Sequence, residues 1–228
     1  MLISHWLKTF SSLTQNSRLV MVMLVCVLLT LVLVGLFIAG VMWFLLSYDV
    51  FAAAWLETGL DVAGGLLAFV VAWFAAPAIM PAIAGLFEEY IVAATYHNMP
   101  NAPKGKEPPF FQSLYYDVRF GVVGLFYNLL ALPLYLVPGV NVAVYYLLNG
   151  YLLGRGFFII TARWHLGDVA HATRLYQQHR KQLFLHGLGL AFLATLPVAS
   201  LFVPFIGIVL MTHVYGAIKR NNSSDLAK

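Results

Sequence analysis

The sequence predicts an all-α, polytopic membrane protein, a single integral-membrane domain over residues 1–228 with two long transmembrane helices and two re-entrant, half-inserted helical hairpins. Three observations predict it. Only 10% of the residues are charged against 61% hydrophobic, and mean hydropathy is +0.84. A soluble domain carries about 25% charged residues, and so little charge could not keep a globule of this size in water. The run 19–46 holds 28 residues without a charge. Two later apolar blocks are each broken by similar punctuation, LPLYLVPGVN (132–141) and LPVASLFVPFIG (196–207).

In chain order, residues 1–18 read as a short amphipathic approach, with Trp6 and Phe10 available to the membrane interface. The first span, about 19–46, is too long for a signal peptide, whose apolar region is about 7–15 residues. Cys26 lies inside it as the single cysteine, which excludes an intrachain disulfide or a CxxC pair. A second span covers about 62–87, kinked by Pro77 and Pro81, and its helix can continue towards Tyr96. The four prolines of MPNAPKGKEPPF (99–110) make a loop. The hairpins are placed at about 120–154 and 184–218, with cytoplasmic segments at 97–119 and 161–182.

Arm length decides their type. Phe120 to Leu132 and Phe184 to Leu196 are 13 residues each, about 20 Å of helix. Crossing needs about 20 residues. Six short spans running through the prolines are the second reading of the same residues. Non-helical backbone at membrane depth must face protein or water. The tips are therefore expected to pack on the first two spans and line a conduit, with Asn141 turned inward. Gly150-x-x-x-Gly154, after Asn149, and Gly35 with Gly40 suggest close helix packing. Two spans and two half-inserted hairpins form a thin shell, so a homo-oligomer in the lipid bilayer is expected.

Charge placement sets the orientation. Between Ser47 and Asp61 there is no Lys or Arg, only Asp49, Glu57 and Asp61. All 13 basic residues fall on the side of the N-terminus. The positive-inside rule then makes both termini cytoplasmic and the acidic segment periplasmic, in a bacterial inner membrane.

Chemistry is sparse. The chain has no GxxxxGK[ST], HExxH or GxSxG motif and no EF-hand-type acidic cluster. No cofactor, metal or nucleic-acid partner is expected. His165, Asp168 and His171 recur every three residues and could hold a metal along one helical face. The neighbouring Arg163, Arg174, Arg180 and Lys181 fit better with a solvated or headgroup-facing helix.

The sharper signal is LTQNSR (13–18) ahead of the first span. Asn16 or Ser17 can cap that helix, whose first turn exposes free N–H groups and partial positive charge. Arg18 adds a fork suited to tetrahedral oxyanions. Gln15, Asn16, Ser17, Arg18 and Leu19 are thus the candidate anion site, and a lipid and topology anchor is the other reading of Arg18. Glu88 and Glu89 close the second span, either as ordinary interfacial carboxylates or as proton- or cation-pairing groups. Arg155 needs a partner, for which Glu88, Glu89 and Asp117 are available. Glu88, Glu89, Asn141, Asn149 and Arg155 form a candidate pore or charge network.

The early LTQ-x-x-R, AAPAIMPAIAGLFEEY (75–90), LYLVPGVNVAVYYLLNGYLLGRGFF (134–158) and LFVPFIGIVLMTHVYGA (201–217) together resemble the CysZ family of bacterial sulfate-uptake proteins, related to the etoposide-induced protein family. In that family the stretch before the first span usually reads Q-P-G-[IL]-R, associated with sulfate. Here it is Gln15-Asn16-Ser17-Arg18, with Asn16 and Ser17 in place of Pro and Gly and the arginine one place early. The resemblance implies a sulfate permease serving cysteine synthesis rather than an enzyme, with sulfate bound at 15–19. A structural or scaffolding membrane protein is the alternative.

Overall fold

The computed structural model describes residues 2–47, 62–67, 69, 83–97 and 109–225. Among them every regular element is a helix: α1 (Leu2–Gln15), α2 (Ser17–Ser47), α3 (Glu88–His97), α4 (Phe110–Tyr135), α5 (Val140–Leu166), α6 (Val169–Gln178), α7 (Arg180–Ala194) and α8 (Pro197–Asp225). Residues 62–67 and 83–86 are also helical. Four stretches are long and apolar enough to cross a membrane, Ser17–Phe44, Phe111–Tyr135, Val140–Leu166 and Val198–Arg220. The protein is an all-α membrane protein. The chain forms two compact units, Met1–Val20 with Phe87–Lys228, and Met21–Leu86.

Within the first unit α8 is the core helix. Its most apolar window is 78% buried, against 11% for α4 and 22% for α5. Those two present Val118, Val122, Leu125, Leu129 and Leu147 outwards, as helices facing lipid do. The tightest crossing joins α5 to α7. A Cβ on Gly154 would sit 2.6 Å from the Leu183 carbonyl oxygen, and one on Gly187 would collide with the Gly150 carbonyl. Both glycine pairs thus pack backbone against backbone, as the small-residue spacing anticipates.

The amphipathicity of α1 is reversed relative to a soluble helix. His5, Thr9 and Leu13 are its buried residues, while Ile3, Leu7 and Phe10 are exposed. The His5 and His186 rings meet with Nδ1 and Nε2 3.3 Å apart, and the Ser12 hydroxyl lies 2.9 Å from His213 Nε2. Polar contacts dock α1 on α7 and α8 and leave its apolar side for lipid. Trp6 packs over Gly189, where a Cβ would come within 2.5 Å of the indole.

The chain turns back at 136–139 and 195–196. Gly139 carries φ +83°, a conformation only glycine adopts without strain. Pro197 opens α8, where its missing N–H costs nothing. Two expectations are corrected here. The arms are longer than 13 residues: α4 has 26, α5 27 and α8 29, and only α7, with 15, stays short. Pro204 and Gly207 do not break the second block but lie inside α8, with Gly207 held against the Phe157 ring.

In the second unit, residues 21–47 of α2 are apolar on every side, and the Thr30 and Ser47 hydroxyls donate to the carbonyls of Cys26 and Trp43 in their own helix. That arrangement suits hydrocarbon, where no hydroxyl can be left without an acceptor. Gly35 and Gly40 have nothing within 4 Å of a would-be Cβ among the described residues. Pro77 and Pro81 lie outside the described residues.

The α5–α7 crossing predicts opposite outcomes for two glycine substitutions. Gly187→Ala should lower stability by about 1–3 kcal/mol or more through overpacking. Gly35→Ala should be neutral or slightly stabilising, since alanine is the better helix former. Thermal unfolding in detergent compares them, and equal shifts would remove the crossing as a constraint.

Candidate functional site

The junction between α1 and α2 is built on Asn16. Its Oδ1 accepts the Arg18 N–H at 3.1 Å, which caps α2, and its Nδ2 donates to the Ala94 carbonyl of α3 at 3.0 Å. Asn16 is buried, as is Leu19, whereas Gln15, Ser17 and Arg18 are exposed. The cap predicted from sequence is therefore present. It takes up one of the first-turn N–H groups that an anion would otherwise meet. The Arg18 guanidinium makes no ion pair or hydrogen bond among the described residues.

The strongest electrostatic feature lies on α3, α4 and α5. Arg163 is 3% exposed and donates from Nη2 to Glu88 Oε1 and from Nη1 to Asp117 Oδ1, the latter at 2.8 Å. Burial holds the Glu88 carboxyl above the usual carboxylate range, against the smaller opposing pull of Arg163. The arginine in this network is Arg163 and not the expected Arg155. Glu89 lines the same small recess as Glu88 and Arg163, with no ion pair among the described residues.

Arg155 is served differently. Its Nη1 donates to the Tyr151 hydroxyl at 2.6 Å, one turn earlier on α5. Its guanidinium lies 5.7 Å from the Phe120 ring centroid, 5.8 Å from Tyr176 and 5.9 Å from Tyr151. Three aromatic faces thus replace the carboxylate the sequence reading sought.

A family model described as Sulfate transporter CysZ/Etoposide-induced protein 2.4 matches residues 5–204. The chain belongs to this family. No curated protein and no solved structure matches it. The family match covers α1 through the turn into α8, and so takes in the Asn16 junction, the Arg163 network and Arg155.

In this family member the remaining candidate residues stand apart from one another. Asn141 is half-buried beside the turn, and its Oδ1 accepts the Val142 N–H at 2.7 Å. Asn149 Nδ2 donates to the Tyr145 carbonyl at 3.0 Å, satisfying itself on its own helix. The His165–Asp168–His171 spacing does not make one face, because α5 ends at Gly167 with φ +67°. His165 instead packs among Tyr96, Trp164 and Tyr215. Asp168 caps α6, accepting from the N–H groups of Ala170 and His171 at 3.0 Å, and these bonds hold its carboxyl below the usual range.

Sequence reasoning did not single out Arg163 as the buried cation. Its signal is weak, because Glu88 and Asp117 lie 75 and 46 residues away. Removing it should be costly. Arg163→Met leaves Glu88 buried without its counter-charge, a loss of about 3–5 kcal/mol. Asp117→Asn, at a 46%-exposed side chain, should cost about 1 kcal/mol or less. A midpoint shift in detergent no larger for Arg163→Met than for Asp117→Asn would make the network a surface feature.

Proposed function

We propose that this protein is a sulfate permease of the bacterial inner membrane, carrying sulfate from periplasm to cytoplasm for cysteine synthesis, and not an enzyme. The observation that carries the reading is membership, over residues 5–204, of a family described as a sulfate transporter. The geometry that gives it chemistry is Arg18, exposed at the start of the long apolar helix α2 with no carboxylate on its guanidinium among the described residues. Gln15, Asn16, Ser17, Arg18 and Leu19 form the entry to that helix. There the guanidinium and the uncapped amides of the first turn meet the anion, while Asn16 holds the backbone in place. Glu88, Glu89, Asn141, Asn149 and Arg155 are assigned to the surrounding charge and pore network.

Both termini lie in the cytoplasm, and both hairpins enter and leave by that face. The 15 residues of α7 extend about 22 Å, short of a core of roughly 30 Å, so its tip stops inside the membrane. On α4 the charge-free part runs from Phe120 to Tyr135, 16 residues, or about 24 Å, with Asp117 and Arg163 marking the boundary. Such half-inserted helices are completed by copies of the same chain, for which Gly35 and Gly40 supply the small residues that close helix packing uses.

Moving two negative charges inward against 100 mV costs roughly 4.6 kcal/mol. A passive pore alone would leave internal sulfate about a thousandfold lower than external. Uptake therefore draws on proton coupling or on rapid consumption of sulfate inside the cell.

Labelled sulfate should enter liposomes containing only this protein, and Arg18→Ala should lower the initial rate about tenfold while Lys8→Ala leaves it unchanged. Absence of flux from the wild-type protein would favour a scaffolding role. Equal small effects of both substitutions would reduce Arg18 to a topology anchor.

Topology has its own test. Reporter fusions at Lys104, Arg174 and Lys228 should report cytoplasm, and one near Glu57 periplasm. A periplasmic signal from a fusion at Gly139 or Thr195 would sink the half-inserted hairpins.

A further inference from the structure

Beside the α5–α7 crossing lies an open cleft of about 460 Å³, formed by residues of α5, α6 and α7. Its chemistry is one-sided. Arg155, Arg180 and Lys181 supply three cations, and Tyr151, Thr173 and Tyr176 supply hydroxyls. No carboxylate is among the lining residues, and no ion pair ties any of the three cations to one among the described residues. Both carboxylates of the neighbouring network are engaged by Arg163. Like charges gathered at a partly enclosed site repel one another unless an anion joins them.

We infer that this cleft is a binding site for a tetrahedral oxyanion group of the sulfate or phosphate type. Arg155 anchors it. Three aromatic rings and the Tyr151 hydroxyl hold the guanidinium, with the Tyr116 hydroxyl beside it, yet neither Arg155 Nε nor the Tyr116 oxygen completes a hydrogen bond among the described residues. A buried donor of a charged group left unpaired is costly, and an acceptor oxygen in the cleft would relieve it. Tyr151 uses its lone pair for Arg155 and so keeps its own O–H to donate. Arg180 and Lys181 are exposed at the start of α7 and line the rim.

The volume separates this cleft from a cage for a bare ion. It falls within the roughly 300–1,000 Å³ of small-molecule sites. The oxyanion therefore arrives hydrated or on a larger body, and two sources share the chemistry: free sulfate, and the headgroup phosphate of an anionic lipid at the basic face of the membrane. The site goes beyond the transport reading: it shares no residue with the 15–19 entry, and of the surrounding pore network it takes in Arg155 alone.

The test uses the full chain in nanodiscs. In one arm, phosphatidylcholine discs are titrated calorimetrically with sodium sulfate at constant ionic strength. In the other, the unfolding midpoint is compared between phosphatidylcholine and phosphatidylglycerol discs. Arg180→Gln/Lys181→Gln alters two exposed side chains and should fold. Lys8→Gln/Arg174→Gln removes the same charge elsewhere. We expect the cleft pair to weaken sulfate binding about tenfold or more, or to abolish a phosphatidylglycerol-dependent rise in midpoint, while the control pair keeps both. The first result assigns free oxyanion and the second a lipid phosphate. Arg155→Lys, which keeps the charge and loses the fork, should weaken the same response. No response of the wild-type protein in either arm, or equal responses of the cleft and control pairs, would overturn the site. Failure of sulfate flux in liposomes would refute transport while leaving this result standing.

Discussion

Helices α5 and α7 touch backbone to backbone, and that contact depends on side chains that are absent at Gly150, Gly154 and Gly187. In lipid no hydrophobic force draws two apolar helices together, so association rests on close packing and polar contacts. Bringing the backbones this near has a consequence for chemistry. Arg155 follows Gly154 directly, and Arg180 and Lys181 lie within a turn of Leu183, whose carbonyl faces Gly154. The crossing therefore gathers cations from two helices, and α6 closes the third wall of the cleft between them. A methyl group at Gly187 would separate the walls as well as strain the fold.

The Arg163 network obeys a different constraint. A guanidinium that is 3% exposed needs carboxylates, and α3 and α4 each provide one. Most of its value is in alignment. A buried ion pair contributes little net stability once desolvation is counted, but losing one member leaves an unpaired charge. The network thus sets how α3, α4 and α5 meet. It also relieves Arg155 of competition for Glu88 and Asp117, so that Arg155 keeps only aromatic and hydroxyl neighbours.

Much of this fold was legible in the residues. The 28 charge-free residues of 19–46 announce a spanning helix, Asn16 announces a cap, and the glycine spacing on α5 announces a crossing. What misled was reading apolar runs as helix lengths. Asp117 and Arg119 interrupt the apolar run of α4 without interrupting the helix, because a charge at a membrane boundary or in an ion pair has no quarrel with helical backbone. Prolines misled in the same way. Pro197 occupies the first position of α8 and starts it, while Pro204 sits inside a helix whose neighbours enclose it. Partner choice was the least legible part. Arg155 and Arg163 stand on one helix eight residues apart, and only the three-dimensional approach of α3 decides which of them meets Glu88. One local clue was available: Tyr151 precedes Arg155 by four residues, the spacing at which helical side chains touch.

The Asn16 junction shows how a departure from a family pattern can be absorbed by structure. Proline and glycine at the start of a helix leave its first N–H groups unclaimed by side chains. Asparagine claims one of them, for Arg18 N–H is donated to Asn16 Oδ1. The same side chain then uses its amide on the Ala94 carbonyl, so a single residue caps α2 and ties it to α3. Rigidity is gained and a backbone donor is given up. Any anion at this entry must rely more on the Arg18 guanidinium and less on the helix amides. A guanidinium on a long exposed side chain binds with less preorganisation than a fixed array of N–H groups. On the proposed reading, recognition at the entry becomes a loosely held first contact, and more weight falls on cations held deeper in the fold, such as Arg155 with its three aromatic supports.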